Sequence, residues 1–351
     1  MKKRNGRRVW KVLAFAALVG IGAVAVVWAR RRRSHLPAAP QERVQPTHPV
    51  LIVNPLSGDG KAKRFDIAGA AASLGIETVT FEKGDSFEKL AHDAVDRGCD
   101  LLMVGGGDGS LAAVATVAME RDVRFACIPI GTRNHFAMDL GLDRDDPVKA
   151  LDAAVDAVEV DVNVGRVNGR VFLNNVSFGI YAQALSDADY REHRAKNIVE
   201  ATAQAEDGGG GFSVQTPSGE TRDEIDVLLV SNNPYEFIGP PDHAGRAALD
   251  TGTLGVMLAG RQETDRHRRP DVERWTTPRS TVTSTVATLS AGVDGELVTF
   301  DAPVDLDASS VLRVLLPARL VEREFKGSTA TLAEEAWAHL TGVGGATPAP
   351  D

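Results

Sequence analysis

Between Asp100 and Met119 the chain reads DLLMVGGGDGSLAAVATVAM, an apolar run that stops in three glycines and gives way at once to helical spacing. An apolar run without polar alternation suits a strand buried on both faces, and such strands belong to parallel sheets covered by helices. The same unit recurs along the chain. PVLIVNP at 49–55 is a buried-strand pattern, Lys61–Leu74 has helical spacing, IETVTF at 76–81 is a second strand, Ser86–Asp96 is again helical, and VRFACIPI occupies 123–130. Strands alternating with helices at this spacing predict a three-layer α/β domain with a mainly parallel sheet over 49–159.

After Val160 the texture changes to short runs such as VDVNVGRV, RVFLNNVSFG, IDVLLVSNN, TLGVMLAG and SSVLRVLLP, separated by Gly, Asn and Asp. This predicts a β-rich second domain over 160–330, built as a sandwich. The glycine run ending at Gly211 reads as a loop, TLAEEAWAHL at 331–340 as a terminal helix, and the remainder to 351 as a flexible tail.

The opposite end has its own character. Val12–Ala29 carry no charge and are bracketed by Trp10 and Trp28, and the first 33 residues hold ten Lys or Arg and no acid. That pattern predicts a membrane anchor over 1–33, followed by a proline-rich linker over 34–48. Six basic residues precede the apolar stretch and four follow it, so the positive-inside rule favours a cytoplasmic N-terminus. That would place the body outside; a cytoplasmic body requires that the rule is overridden or that the helix lies in the interface instead of spanning. The expected location is the cell membrane, with the body on its cytoplasmic side.

The rest of the chain holds 29 basic against 48 acidic residues, a net −19. A body so acidic is unsuited to nucleic acid, whereas the basic end suits anionic lipid headgroups. Cys99 and Cys127 sit in apolar stretches without metal-ligand spacing and read as buried small hydrophobes.

Gly105–Ser110, GGGDGS, would let the backbone approach phosphate oxygens while the following helix offers free N–H groups. The segment matches neither the GxGxxG nor the GxxxxGK[ST] pattern, and alone it reads equally well as a tight turn. Two further loops, Asn54-Pro55-Leu56-Ser57-Gly58 and Pro129–Asn134, end other strands of the same sheet. Loops at the carboxyl ends of parallel strands share one edge, so all three are expected to form one ligand crevice.

In this order and spacing, NPLSG, GGGDGS and PIGTRNHFAMDLGL, with a later Asp294-Gly295-Glu296, resemble the catalytic domain of diacylglycerol kinases and related bacterial lipid kinases. The resemblance spans roughly 49–317. It implies the fold shared with NAD kinases, with an N-terminal α/β domain, a C-terminal β-sandwich and ATP in the cleft, plus Mg²⁺ and a membrane lipid as acceptor. Carried over by residue, it assigns nucleotide contacts to Asn54, Pro55, Ser57, Gly58, Thr80 and Thr132, and the phosphate loop to Gly106, Gly107, Asp108, Gly109 and Ser110. Asp108 would order Mg²⁺ and phosphate charge, and Asp294 with Glu296 would form the catalytic pair. From the residues alone, Asp294-Gly295 reads as a hairpin turn.

This sequence also departs from the family pattern. Met138 stands where many members carry an arginine thought to face phosphate, and Arg133 is the expected substitute. The family's acidic Mg²⁺ loop resembles Leu249–Leu254, with Thr251 where a second aspartate is common, leaving Asp250 as the metal candidate. The arginine-rich stretch 261–279 reads as a solvated loop or a headgroup-facing one, and His135 as structural. Two other readings compete with a lipid kinase. One is an NAD kinase-like enzyme, disfavoured by the anchor and by PIGTRNHFAMDLGL; the other is a catalytically inactive membrane-bound sensor, disfavoured by intact GGGDGS and DGE.

Overall fold

A computed structural model describes residues 43–179, 211–223, 225–236, 245–246, 248–260 and 271–321. Here the apolar runs become strands β2 (Pro49–Val53), β3 (Glu77–Thr80), β4 (Leu101–Gly105) and β5 (Arg124–Ile128), preceded by a short β1 (Arg43–Val44). They lie parallel in the order β3-β2-β4-β5. Val50–Ile52 and Leu101–Val104 are sealed from solvent, as expected of strands covered on both faces.

The covering helices are α1 (Lys61–Arg64), α2 (Ile67–Ser73), α3 (Phe87–Asp96), α4 (Asp108–Glu120) and α5 (His135–Asp139). Their apolar stripes, including Ile67, Ala91, Leu111, Val114 and Phe136, join one core with the sheet. Ser86 caps α3, its Oγ accepting from Lys89 N–H at 3.2 Å. Where the spacing predicts one helix over 61–74, the structure has two. Asp66 takes φ +46, a left-handed conformation that ends the helical run, and its carboxylate folds against Gly69.

A 3-10 segment at Pro147–Ala154 leads into β6 (Ala157–Val167), β7 (Arg170–Phe172) and β8 (Asn175–Gly179). Then come β9 (Phe212–Gln215), β10 (Thr221–Arg222), β11 (Val227–Asn232), β12 (Tyr235–Glu236), β13 (Gly245–Arg246), β14 (Leu254–Gly260) and β15 (Asp271–Thr277). The last four strands are β16 (Arg279–Ser284), β17 (Thr288–Val293), β18 (Glu296–Asp301) and β19 (Val304–Pro317).

The sheet is mixed as a whole, because β19 returns to the first half of the chain. It runs parallel beside β5, with Val314 opposite Phe125, and antiparallel to β6 along most of its length. The result is an 11-stranded sheet continuing through β16, β9 and β10. A separate antiparallel sheet runs β15-β14-β11-β8-β17-β18. A second core, with Phe172, Phe212, Val282 and Leu306 from the large sheet and Phe178, Leu228, Val230 and Ala291 from the separate one, fills the space between them. This is the sandwich.

RVFLNNVSFG, one apolar run in the sequence, changes sheets within itself. β7 belongs to the large sheet, β8 to the separate one, and Leu173-Asn174 make the corner.

Among the described residues no helix is long and apolar enough to cross a membrane. The anchor expected at 12–29, most of the linker, the terminal helix and the tail lie outside the described residues, as do 261–270 of the arginine-rich stretch.

Candidate functional site

The parallel register sets the site. Val53 is opposite both Thr80 and Gly105, and Gly105 is opposite Ile128, so all four strands end on one edge and release their loops together. Asn54 N–H donates to Gly105 O at 2.9 Å, and Asn54 Oδ1 accepts from Leu56 N–H at 3.0 Å, folding the NPLSG loop into an Asx turn.

The loops then touch through glycines. A Cβ on Gly58, whose φ is +56, would stand 2.1 Å from Ile130 O, and one on Gly131 would stand 2.6 Å from Gly107 Cα and 2.7 Å from Gly106 O. Only glycine permits these approaches. Asn134 locks the third loop, donating from Nδ2 to Gly131 O at 2.7 Å, while its Oδ1 is buried without a partner.

Helix α4 begins at Asp108, capped by Gly107 without a side-chain hydrogen bond, so its first amides point into the loop cluster. Asp108 is 8% exposed and its Oδ1 is buried with no hydrogen-bond partner. A carboxylate in the first turn is favoured by the helix dipole, but an unpartnered buried oxygen calls for a ligand of opposite charge. That fits one coordination position on Mg²⁺, an ion held through one or two carboxylates with phosphate oxygens and water completing its shell.

Asp294 arrives from the other sheet. Asp294 and Gly295 take φ +49 and +91 and connect Val293 to its partner Glu296, so the hairpin reading from the residues alone is correct as geometry. The turn does more than reverse the chain. The Asp294 carboxylate accepts N–H bonds from Leu173 at 2.8 Å, Asn174 at 2.8 Å and Asn175 at 3.1 Å, all from the corner between β7 and β8. Burial pushes its carboxyl up to about 6; the three amides oppose that rise, and the charge of Asp108 adds to it.

Glu296, two residues on, is exposed, with Oε1 so near Gly109 that a Cβ there would stand 2.2 Å away. Its other oxygen accepts from Arg170 Nη2 at 3.0 Å. Both side chains line a cavity of about 510 Å³ with Gly109, Ser110, Phe81 and Phe87, whose rings stack at 4.2 Å.

The structure thus brings Asn54, Pro55, Ser57, Gly58, Gly106, Gly107, Asp108, Gly109, Ser110, Thr132 and Arg133 to one cluster of loops. Thr80 ends the neighbouring strand on the same edge, and Glu296 reaches the cluster from the sandwich. Asp250 stands apart. It is exposed on a loop held by Asn233, whose Oδ1 accepts from Thr251 N and Oγ1, and by Asn163, whose Oδ1 accepts from Gly252 N–H. Among the described residues no three His, Cys, Asp or Glu side chains gather as a metal cluster.

Sequence reading passed over three cations. Lys61, just beyond the NPLSG loop, has its ammonium pKa lowered by burial and by Arg144 and Arg64. Arg170 was one more charge at a strand start. Arg246 is fully buried and has no local signal, since what makes it notable is its distant partners.

Residues 48–167 match the family model described as the diacylglycerol kinase catalytic domain. The chain is 34% identical over 134 residues to a diacylglycerol kinase of Bacillus subtilis, covering 35% of this chain and 43% of that protein. To a diacylglycerol kinase of Mycobacterium tuberculosis it is 36% identical over 121 residues, or 33% and 39% of the two chains. To a YegS-like lipid kinase of Pseudomonas aeruginosa it is 38% identical over 103 residues, or 29% and 33%. The matched segment spans about two fifths of the length of the first two. The crystal structure of a diacylglycerol kinase from Bacillus anthracis superposes with a TM-score of 0.58 at 17% identity, over 79% of this chain and 99% of that one, and so shares the fold.

Proposed function

We propose, for a chain whose residues 48–167 carry a diacylglycerol kinase catalytic domain, that the protein transfers the γ-phosphate of ATP to a lipid hydroxyl, with diacylglycerol as acceptor and phosphatidic acid as product. The observation that carries this reading is the meeting of Glu296 with Gly109, which puts the DGE turn against the start of α4.

In this reading the loops of Asn54, Ser57, Gly58, Thr132 and Arg133, with Thr80, hold the nucleotide. The amides of Gly106–Ser110 and the N-terminus of α4 bind phosphate oxygens. Asp108 takes Mg²⁺, which when bound offsets the phosphate charge. Asp294, ionised above about pH 6, accepts the proton of the lipid hydroxyl as its oxygen bonds to the γ-phosphorus and the bond to the leaving ADP oxygen breaks. Glu296, tethered by Arg170, positions the acceptor. In the same reading the acceptor lies in the cell membrane, with the body on its cytoplasmic side and the basic N-terminal segment against anionic headgroups.

The test is transfer of labelled γ-phosphate from ATP and Mg²⁺ into vesicles containing diacylglycerol. Label in phosphatidic acid with wild type, lost in Asp294→Asn, is the expected result. ATP binding without label in any lipid overturns the reading and leaves a nucleotide-binding sensor.

A further inference from the structure

Among the described residues Arg246 is the largest side chain wholly removed from solvent, 0% exposed. Burying a guanidinium costs several kcal/mol unless every donor is met, and here they are met with unusual completeness. Nε donates to Asp139 Oδ2 at 2.7 Å, and Nη2 pairs with the same oxygen at 2.5 Å. Nη1 donates to Leu173 O at 2.5 Å and Asn232 O at 3.1 Å, and Nη2 to Asn174 Oδ1 at 3.0 Å. The ring of Phe136 lies 6.0 Å away.

Two of these acceptors belong to the corner whose amides hold Asp294. Leu173 gives its carbonyl to Arg246 and its N–H to Asp294; Asn174 gives its side-chain oxygen to Arg246 and its N–H to the same carboxylate. Asn175, the third amide donor, is tied separately, its Nδ2 donating to Tyr235 Oη at 3.1 Å. The corner is therefore clamped between a buried cation and the carboxylate.

Asp139 is the other anchor. It ends α5, the helix that follows the Thr132–Asn134 loop, so the guanidinium joins the nucleotide-side loop to the corner. We propose that Arg246, braced by Asp139, is a positioning residue: it fixes the β7–β8 corner so that the amides of Leu173 and Asn174 hold the Asp294 carboxylate in its working orientation. The proposal rests on the lipid kinase reading for its consequence in turnover, and on the hydrogen bonds alone for its structural part.

The experiment compares wild type with Arg246→Met and Asn174→Ala. Arg246→Met removes the charge at similar volume, and Asn174→Ala deletes one acceptor while leaving the Arg246–Asp139 pair intact. Two readouts are taken: hydrogen exchange of the Leu173, Asn174 and Asn175 amides, with those of β4 as control, and steady-state lipid phosphorylation. The expected result is at least tenfold faster exchange at the first two amides in both variants, unchanged β4 amides, and kcat down tenfold or more with the KM for ATP within twofold. If Arg246→Met does not fold, Asn174→Ala decides alone. Unchanged exchange at Leu173 and Asn174, or exchange that rises without loss of kcat in an active enzyme, overturns the proposal. If wild type phosphorylates no lipid, the kinase reading falls, and the exchange pattern still decides whether Arg246 organises the corner.

Discussion

Glu296 Oε1 rests on the Cα face of Gly109, leaving no room for a methyl group: a Cβ there would stand 2.2 Å from the oxygen. Because that oxygen ends an exposed, flexible side chain, Gly109→Ala is absorbed by moving Glu296, and alanine is the better helix former. The variant should fold with Tm unchanged or slightly raised, bind ATP, and lose phosphoryl transfer by tenfold or more, about 1.4 kcal/mol of barrier. A fully active Gly109→Ala enzyme would remove Glu296 from the acceptor site.

Gly131→Ala should behave in the opposite way. Its Cβ would meet backbone, Gly107 Cα at 2.6 Å and Gly106 O at 2.7 Å, which cannot swing aside. Overpacking of this kind costs about 1–3 kcal/mol. Tm should fall by several degrees and nucleotide affinity should drop with it, as thermal scans with and without ATP would show.

The pH dependence follows from Asp294. Its carboxyl is raised to about 6 by burial, so a base of this kind is protonated and inactive below that value. The logarithm of kcat/KM, which reports the free enzyme, should rise with unit slope from pH 5 to about 6 and then level off. Asp108 contributes to the rise by like-charge repulsion, so the residual activity of Asp108→Asn should show its midpoint displaced to lower pH. A midpoint unmoved by that substitution would separate the two carboxylates.

How much of this was legible in the sequence differs between the halves of the chain. The strand–glycine–helix unit around Gly105 fixed its own placement, because a continuous apolar strand must be buried and its loop must emerge at the sheet edge. The join through β19 was not legible: SSVLRVLLP looks the same whether it pairs within a sandwich or runs beside β5. Asp294 shows the same limit from another side. An Asp-Gly turn is visible locally, but its three amide donors lie about 120 positions earlier in the chain. Arg246 left no trace in pattern, since its partners at Asp139, Leu173, Asn174 and Asn232 come from three separate segments. The paired asparagines inside RVFLNNVSFG were the available hint, as polar residues interrupting an apolar run need a reason to be there.

Arg133 offers a test of the departure at Met138. Among the described residues it makes no hydrogen bond or ion pair that folding depends on, and Met138 on the adjacent helix is 37% exposed. Arg133→Ala should therefore leave Tm within about 2 °C, the range of a surface change of under 0.5 kcal/mol. The KM for ATP should rise tenfold or kcat should fall by as much. Adding Met138→Arg to that variant should restore part of the loss, because it returns a cation to the same loop and helix. Unaltered kinetics in Arg133→Ala would show that neither position meets phosphate.

The loop at 249–253 separates two ways of holding a chain in place, by ion or by side-chain amide. Asn233 and Asn163 already satisfy the amides of Thr251 and Gly252, the Thr251 hydroxyl donates to Asn233 Oδ1 at 2.7 Å, and Asp250 faces solvent. Asn233 is buried, so Asn233→Ala takes the acceptor from the Thr251 N–H and hydroxyl at a cost of about 1–3 kcal/mol and should lower Tm by several degrees. Asp250→Ala should leave Tm unchanged if the amides do the holding. Thermal scans with Mg²⁺ and with a chelator decide between the two, since stabilisation by an ion bound at Asp250 would appear as a Mg²⁺-dependent rise in Tm that Asp250→Ala abolishes and Asp108→Asn does not.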